Sequence, residues 1–197
     1  MKVGLFFGSF NPIHHGHLII ASHILQNSEL DQIWFIVSPH NPLKENKSLL
    51  NEYQRLHLVR LATEGYPGFR VMDIEFRLPK PSYTVDTLTY LEENFPDHVF
   101  NIIMGSDSLH NIEKWKNPSV ILERYEIYLY IRPGFDVRKD LLGKINVVNA
   151  PLLEISATHI RKLINKGHSI RYFVPETVRD EIEMGGYYKS LKTPSKN

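Results

Sequence analysis

The sequence contains no cysteine among its 197 residues, which excludes a disulfide framework, thiolate metal sites and a thiol nucleophile. It also has almost no net charge. Its 23 Lys and Arg against 22 Asp and Glu leave +1 at pH 7, so no broad basic field is available to recruit nucleic acid. No apolar run approaches the roughly 18 residues that cross a bilayer. The chain opens on a short apolar stretch rather than the long apolar segment of a secretory leader. These absences make a cytoplasmic protein the expectation, with neither a membrane nor a nucleic acid as partner. Two common glycine-rich phosphate fingerprints are missing: G-x-G-x-x-G after the first strand, and G-x-x-x-x-G-K-[ST] anywhere. There is no internal repeat and no linker rich enough to divide domains.

Hydrophobic residues at 42% allow a proper core, and the length suits one domain with at most a small appendage. Short apolar runs alternate with helical spacing along most of the chain. Lys2 to Phe7, Ile33 to Val37, Phe69 to Phe76 with its extension, Val99 to Met104, Glu126 to Ile131 and Ile145 to Val148 read as strands. Helices are expected from about His17 to Gln26, after an Asn51 cap, from Tyr83, as short pieces at Ile112 to Trp115 and Pro118 to Leu122, from the ISATHIR stretch, and after Pro175. Ser38 to Ser48 and Arg77 to Ser82 read as loops. This alternation predicts a doubly wound, Rossmann-like parallel α/β sheet. One domain should span 1–188, with a small C-terminal helical part over about 156–188. Residues 189–197 read as a frayed tail.

Two stretches carry the chemistry. At the start, Gly8-Ser9-Phe10-Asn11-Pro12 is a tight turn between the first strand and a helix, and His14-His15-Gly16-His17 follows it. Strand, turn and helix N-terminus form a cradle for phosphate, because loop amides and the helix dipole favour an anion there. Gly16 lets the backbone pass close to a ligand, while His14 and His17 can face one point. Read alone, the same residues suit a histidine-capped helix with surface neighbours. Near the other end, Ile155-Ser156-Ala157-Thr158-His159-Ile160-Arg161 starts a second helix. Ser156 or Thr158 can cap it, Ile160, Leu163 and Ile164 form its apolar stripe, and Arg161 lies off that stripe. Alone, this is an ordinary capped helix with a solvated arginine.

Together, GSFNPIHHGHL and ISATHIR resemble the nucleotidyltransferase superfamily with H-x-G-H and I-S-x-T-x-x-R signatures. Within it the chain is similar to the bacterial nicotinate-mononucleotide adenylyltransferases, and the resemblance covers most of the sequence. Three positions depart from the common pattern: Phe7 and Asn11 stand where many members carry glycine and aspartate, and Ala157 where many carry a second serine. The resemblance implies adenylyl transfer from ATP to nicotinate mononucleotide, giving nicotinate adenine dinucleotide and pyrophosphate in NAD biosynthesis. His14, His17 and Arg161 would be catalytic. Gly8, Ser9, Phe10, Ser156 and Thr158 would hold phosphates, Gly105 and Asp107 would belong to the adenosine corner, and Lys44 and Arg132 would add charge. Thr84 in SYTVDTL and Trp115 in EKW would bind the pyridine nucleotide, Trp115 by stacking.

Mg²⁺ is expected on ATP itself, since the sequence offers no carboxylate cluster and hence no metal site of its own. The competing readings are another transferase of the class, such as a phosphopantetheine adenylyltransferase or a glycerol-phosphate cytidylyltransferase; a nucleotide-sensing module; and a histidine metal site on His14, His15 and His17. The SYTVDTL, GSDS and Trp115 segments argue against the first. Retention of both histidines and Arg161 argues against the second, and the lack of an i, i+4 histidine pair against the third. A homo-oligomer stays open.

Overall fold

The computed structural model describes residues 1–39, 49–135, 143–151 and 153–189. The sequence-predicted charge Lys44, the Ser38 to Ser48 loop beyond Pro39 and the tail after Lys189 lie outside the described residues.

Six parallel strands form one sheet: β1 Lys2–Gly8, β2 Gln32–Val37, β3 Phe69–Met72, β4 Val99–Gly105, β5 Ile127–Tyr130 and β6 Ile145–Val148, in the order β3-β2-β1-β4-β5-β6. The helices are α1 His15–Gln26, α2 Glu52–Thr63, α3 Thr84–Asn94, α4 Ser106–His110, α5 Pro118–Arg124, α6 Ala157–Asn165 and α7 Glu176–Met184. This is the doubly wound sheet that the alternating pattern predicts. The strands read as unbroken apolar runs because both faces are covered. Side chains alternate between them. Val3, Leu5, Trp34, Ile36, Ile102 and Leu129 pack with Leu88, Leu109 and Ile121 of α3, α4 and α5. Phe6, Ile33, Phe35, Val37 and Ile103 pack with Ala21, Leu58, Ile160 and Val178 of α1, α2, α6 and α7. No helix among the described residues is long and apolar enough to cross a membrane.

Side-chain caps fix the starts of two helices. Asn51 accepts from the Tyr53 amide at 2.9 Å at the start of α2, and Ser156 Oγ accepts from the His159 amide at 3.2 Å at the start of α6. Three elements differ from the sequence reading. α1 begins at His15 rather than His17, because an extended His14 serves as its N-cap, a role for which histidine gives little signal. The expected strand Phe69 to Phe76 stops at Met72, and Ile74–Phe76 forms a 3-10 turn that buries both Ile74 and Glu75. The corner at Gly105 to Ser108 is already helical from Ser106.

The strand order reverses between β1 and β4. Crossovers leave those two strands in opposite directions, so a crevice opens beyond their carboxyl ends, at Gly8 and Gly105.

Candidate active site

A cavity of about 560 Å³ fills that crevice. The loop after β1 contributes Gly8, Ser9, Phe10 and Asn11, α1 contributes His17 beside its cap His14, and β4 with α4 contributes Gly105 and Asp107. Arg132 reaches in after β5, Ser156 and Thr158 from the start of α6, and Thr84 and Trp115 close the far wall. The chain thus brings together every described site residue from the sequence reading except Arg161, which stands directly behind the cavity. Its guanidinium donates to the Asn11 carbonyl at 2.7 Å and to Thr158 Oγ1 at 3.2 Å, so it ties the α6 N-terminus to the β1 loop.

The β1 loop is held from several sides. A Cβ on Gly8 would stand 2.8 Å from the Phe10 ring, so a side chain there would collide with an aromatic buried in the core. Asn11 Oδ1 accepts from the Leu50 amide at 3.1 Å, an acceptor role that asparagine and aspartate share. Gly16 does something other than the close ligand approach expected of it. It lies inside the first turn of α1, and a Cβ there would meet the His14 ring at 3.0 Å. Its missing side chain makes room for His14.

The two histidines stack, with ring centroids 3.7 Å apart and planes 25° from parallel. The His14 amide donates to His17 Nδ1 at 3.3 Å. Because Nδ1 of His17 accepts, its ring proton sits on Nε2, which makes that nitrogen a donor. His14 is 4% exposed, and its Nδ1 is buried without a hydrogen-bond partner. Burial, reinforced by the positive charges of Arg132 and His15, lowers its pKa to about 3. His14 is therefore a neutral ring at physiological pH, and it offers the cavity a dipole rather than a charge.

On the opposite lip, Arg132 Nε lies 3.4 Å from Asp107 Oδ1, and its Nη2 donates to Tyr130 Oη at 3.2 Å. Arg132, expected from the sequence to add charge near the phosphates, has part of that charge offset by Asp107. Ser106, buried at the start of α4, accepts from the Arg132 amide at 2.9 Å and joins the ends of β4 and β5.

Sequence reasoning missed several lining groups, and Glu75 is the most informative. The 3-10 turn after β3 carries it to the cavity wall, 3% exposed. Ser82 Oγ and Thr87 Oγ1 each donate to its carboxylate at 3.0 Å. Burial raises its pKa, while the hydroxyls of Ser38, Thr87 and Ser82 pull it back. The SYTVDTL segment already contained Ser82 and Thr87; a strand assignment at Glu75 hid their acceptor. Asp86 and Glu113 do not line the cavity, whereas Lys114 and Lys116 do, Lys116 with its ammonium 2.8 Å from Asp86.

Fold and site together define a doubly wound domain of the nucleotide-handling class, whose cavity lies between an H-x-G-H helix start and a second helix start opposite it. The chain belongs to the cytidylyltransferase-like family, whose model matches residues 5–163. It is 50% identical to a protein of Flavobacterium psychrophilum, over 96% of this chain and 100% of that one, and 45% identical to one of Bacteroides fragilis, over 92% and 90%. Both carry the name probable nicotinate-nucleotide adenylyltransferase. Among solved structures it superposes on Plasmodium falciparum nicotinic acid mononucleotide adenylyltransferase complexed with NaAD, with a TM-score of 0.80. Identity to that chain is 20%, with 95% of this chain and 97% of that one covered, and the likeness speaks for the fold.

Proposed function

We infer that this protein transfers the adenylyl group of ATP to nicotinate mononucleotide, yielding nicotinate adenine dinucleotide and pyrophosphate in NAD biosynthesis. One observation carries the reading: a single cavity joins the histidine pair, the α6 N-terminus and the Thr84–Trp115 wall. A nucleotide donor and a pyridine acceptor can meet there. The 50% identity to a protein named for this reaction supports it.

The chemistry needs little from the protein beyond placement. An oxygen of the mononucleotide phosphate attacks the α-phosphorus, a new P–O bond forms, and the bond to the β-phosphate oxygen breaks. The attacking oxygen is already an anion, so no general base is required. Catalysis is then positioning plus stabilisation of charge on the transferring group and leaving pyrophosphate. In this reading His17 Nε2–H donates to the transferring phosphate, beside His14 and the amides of Gly8, Ser9 and Phe10. Ser156 and Thr158 hold the leaving end, Arg161 ties them to the β1 loop from behind, and Gly105 and Asp107 face the adenosine. Thr84 and Trp115 receive the pyridine ring.

Mg²⁺ enters as part of the substrate, Mg-ATP. Among the described residues there is no group of three or more His, Cys, Asp or Glu that could hold a metal ion. Residues 1–188 would act as one domain, and the need for ATP suits a cytoplasmic setting. The test is pyrophosphate release from ATP plus nicotinate mononucleotide, with CTP and phosphopantetheine as alternative substrates, and with EDTA followed by Mg²⁺ readdition. Release with the expected pair alone, lost on chelation and restored by Mg²⁺, is the predicted result. Turnover only with another pair would refute the substrate assignment.

A further inference from the structure

Arg55 of α2 is fully buried, a rare place for a guanidinium. Among the described residues no carboxylate lies within ion-pair distance of it, and Glu52, on the preceding turn, pairs with Lys80 instead. A buried charge without a counterion is costly unless its hydrogen bonds are met. Here four of its five N–H groups donate to backbone carbonyls. Nε donates to Leu50 at 2.8 Å, Nη1 to Ser9 at 2.6 Å and Ser38 at 2.7 Å, and Nη2 to Pro39 at 2.8 Å. One planar fork thereby joins the loop after β1, the end of β2 and the start of α2.

We propose that Arg55 is a positioning residue for ATP: by holding the Ser9 carbonyl it turns the Phe10 N–H toward the triphosphate. This rests on the reading of the β1 loop as a nucleotide cradle. The Ser9–Phe10 peptide is not among the cis bonds, and in a planar trans unit the N–H points opposite to the carbonyl. Ser9 and Phe10 line the cavity and Arg55 does not, so the loop stands between the guanidinium and the cavity. A carbonyl drawn back to Arg55 therefore sends the Phe10 N–H to the cavity side.

The backbone at Phe10 shows that this orientation is imposed. Its φ is +42°, a left-handed value that a bulky residue keeps only where its surroundings over-determine it. Arg55 grips one side. On the other, the Phe10 ring packs edge-on against His17 at 5.1 Å and Phe6 at 5.8 Å. Arg161 makes a comparable bond to the Asn11 carbonyl, but Pro12 follows and has no N–H to direct. Of the two arginines that grip this loop, only Arg55 can therefore deliver a donor in this way. Lysine could not replace it, since a point ammonium lacks the fork that serves four carbonyls at once.

The first test is Arg55→Lys, assayed for both substrates. The expected result is a KM for ATP raised ten-fold or more, with the KM for nicotinate mononucleotide within two-fold of wild type. No change for ATP, or an equal rise for both substrates as from general loosening, would overturn the proposal. The second test uses the wild-type protein and does not depend on the variant's folding. Ser–Phe occurs once in the sequence, so carbonyl-¹³C serine with ¹⁵N phenylalanine isolates the Phe10 amide. That amide should move downfield on adding Mg-ATP and stay in place with nicotinate mononucleotide alone. A Phe10 signal that ignores Mg-ATP would overturn the proposal. A Phe10 signal that responds in a protein releasing no pyrophosphate would sink the reaction assigned above and leave this inference standing.

Discussion

Lowering the pH should destabilise this protein through His14 in particular. The ring's pKa falls from 6.5 in the unfolded chain to about 3 in the folded one, chiefly because burial disfavours the charged form. The sign follows from proton counts. Between those values the unfolded chain binds a proton that the folded chain refuses, so stability falls as pH falls. The contribution is fully present above 6.5 and is lost progressively down to about 3. Worked from those two values, the unfolded state gains about 1.4 kcal/mol between pH 7.5 and 5.5, and about 2.7 kcal/mol by pH 4.5. His14→Asn keeps a polar side chain near the Nδ1 position but has no proton to bind, and every other titrating group stays the same. Urea midpoints for the two proteins at pH 7.5 and 5.5 make the comparison. With a slope of about 2 kcal/mol per molar, the wild type should lose about 0.7 M more of its midpoint than the variant. Parallel losses would mean that His14 titrates near its ordinary value when folded, and the neutral-histidine account of the site would fall.

His17→Ala should lower kcat by about 10² or more, typical for one preorganised donor to a charge-building transition state, with the fold retained; near wild-type kcat would remove His17 from the reaction. Glu75→Gln replaces an acceptor of two hydroxyl protons with a group that is half donor, so KM for nicotinate mononucleotide should rise several-fold while KM for ATP holds. Equal effects on both substrates would make Glu75 a general stabiliser. The carboxylate substrate should be preferred over nicotinamide mononucleotide by roughly 10² in kcat/KM, because donors placed for a carboxylate meet an NH₂ in the amide. Trp115→Ala should weaken both pyridine substrates and narrow that ratio only modestly.

The fold was legible because burial on both faces leaves a plain signature. Ile33 to Val37 and Val99 to Met104 carry no alternation, and only a sheet covered twice tolerates that. The site was legible where turn chemistry marks a strand end, as at Gly8 to Pro12, and where a hydroxyl caps a helix, as at Ser156. It was illegible where a side chain acts through the backbone of a distant segment. Arg55 gave no signal, since nothing local to it says that the Ser9 carbonyl, 46 positions away, accepts its hydrogen bond. Glu75 was hidden for the opposite reason. Its neighbours looked like a strand, and the 3-10 turn that swings it to the cavity depends on Ile74 finding the core. Gly16 was legible as necessary, but its beneficiary was the His14 ring rather than a ligand.

These features share an electrostatic logic. Both proposed substrates are anions and one product is pyrophosphate, so a cavity lined with bare cations would bind well and release slowly. Several positive groups on this cavity's wall are tempered. Lys116 pairs with Asp86 at 2.8 Å, Arg132 lies 3.4 Å from Asp107, and His14 is neutral. The guanidinia of Arg55 and Arg161 are spent on the carbonyls of Ser9 and Asn11, one layer behind the surface. Among the described residues the proposed attraction then rests on Lys114 and on fixed dipoles: loop amides, the starts of α1 and α6, and imidazole N–H groups. Such dipoles favour charge at defined points and need no reorganisation as it builds, which is what a phosphoryl centre requires during transfer. They also hold a departing anion less tightly than ammonium groups in direct contact would. Buried Arg55 and half-buried Arg161 make this possible, because they keep the carbonyls of Ser9 and Asn11 turned away from the proposed phosphate site.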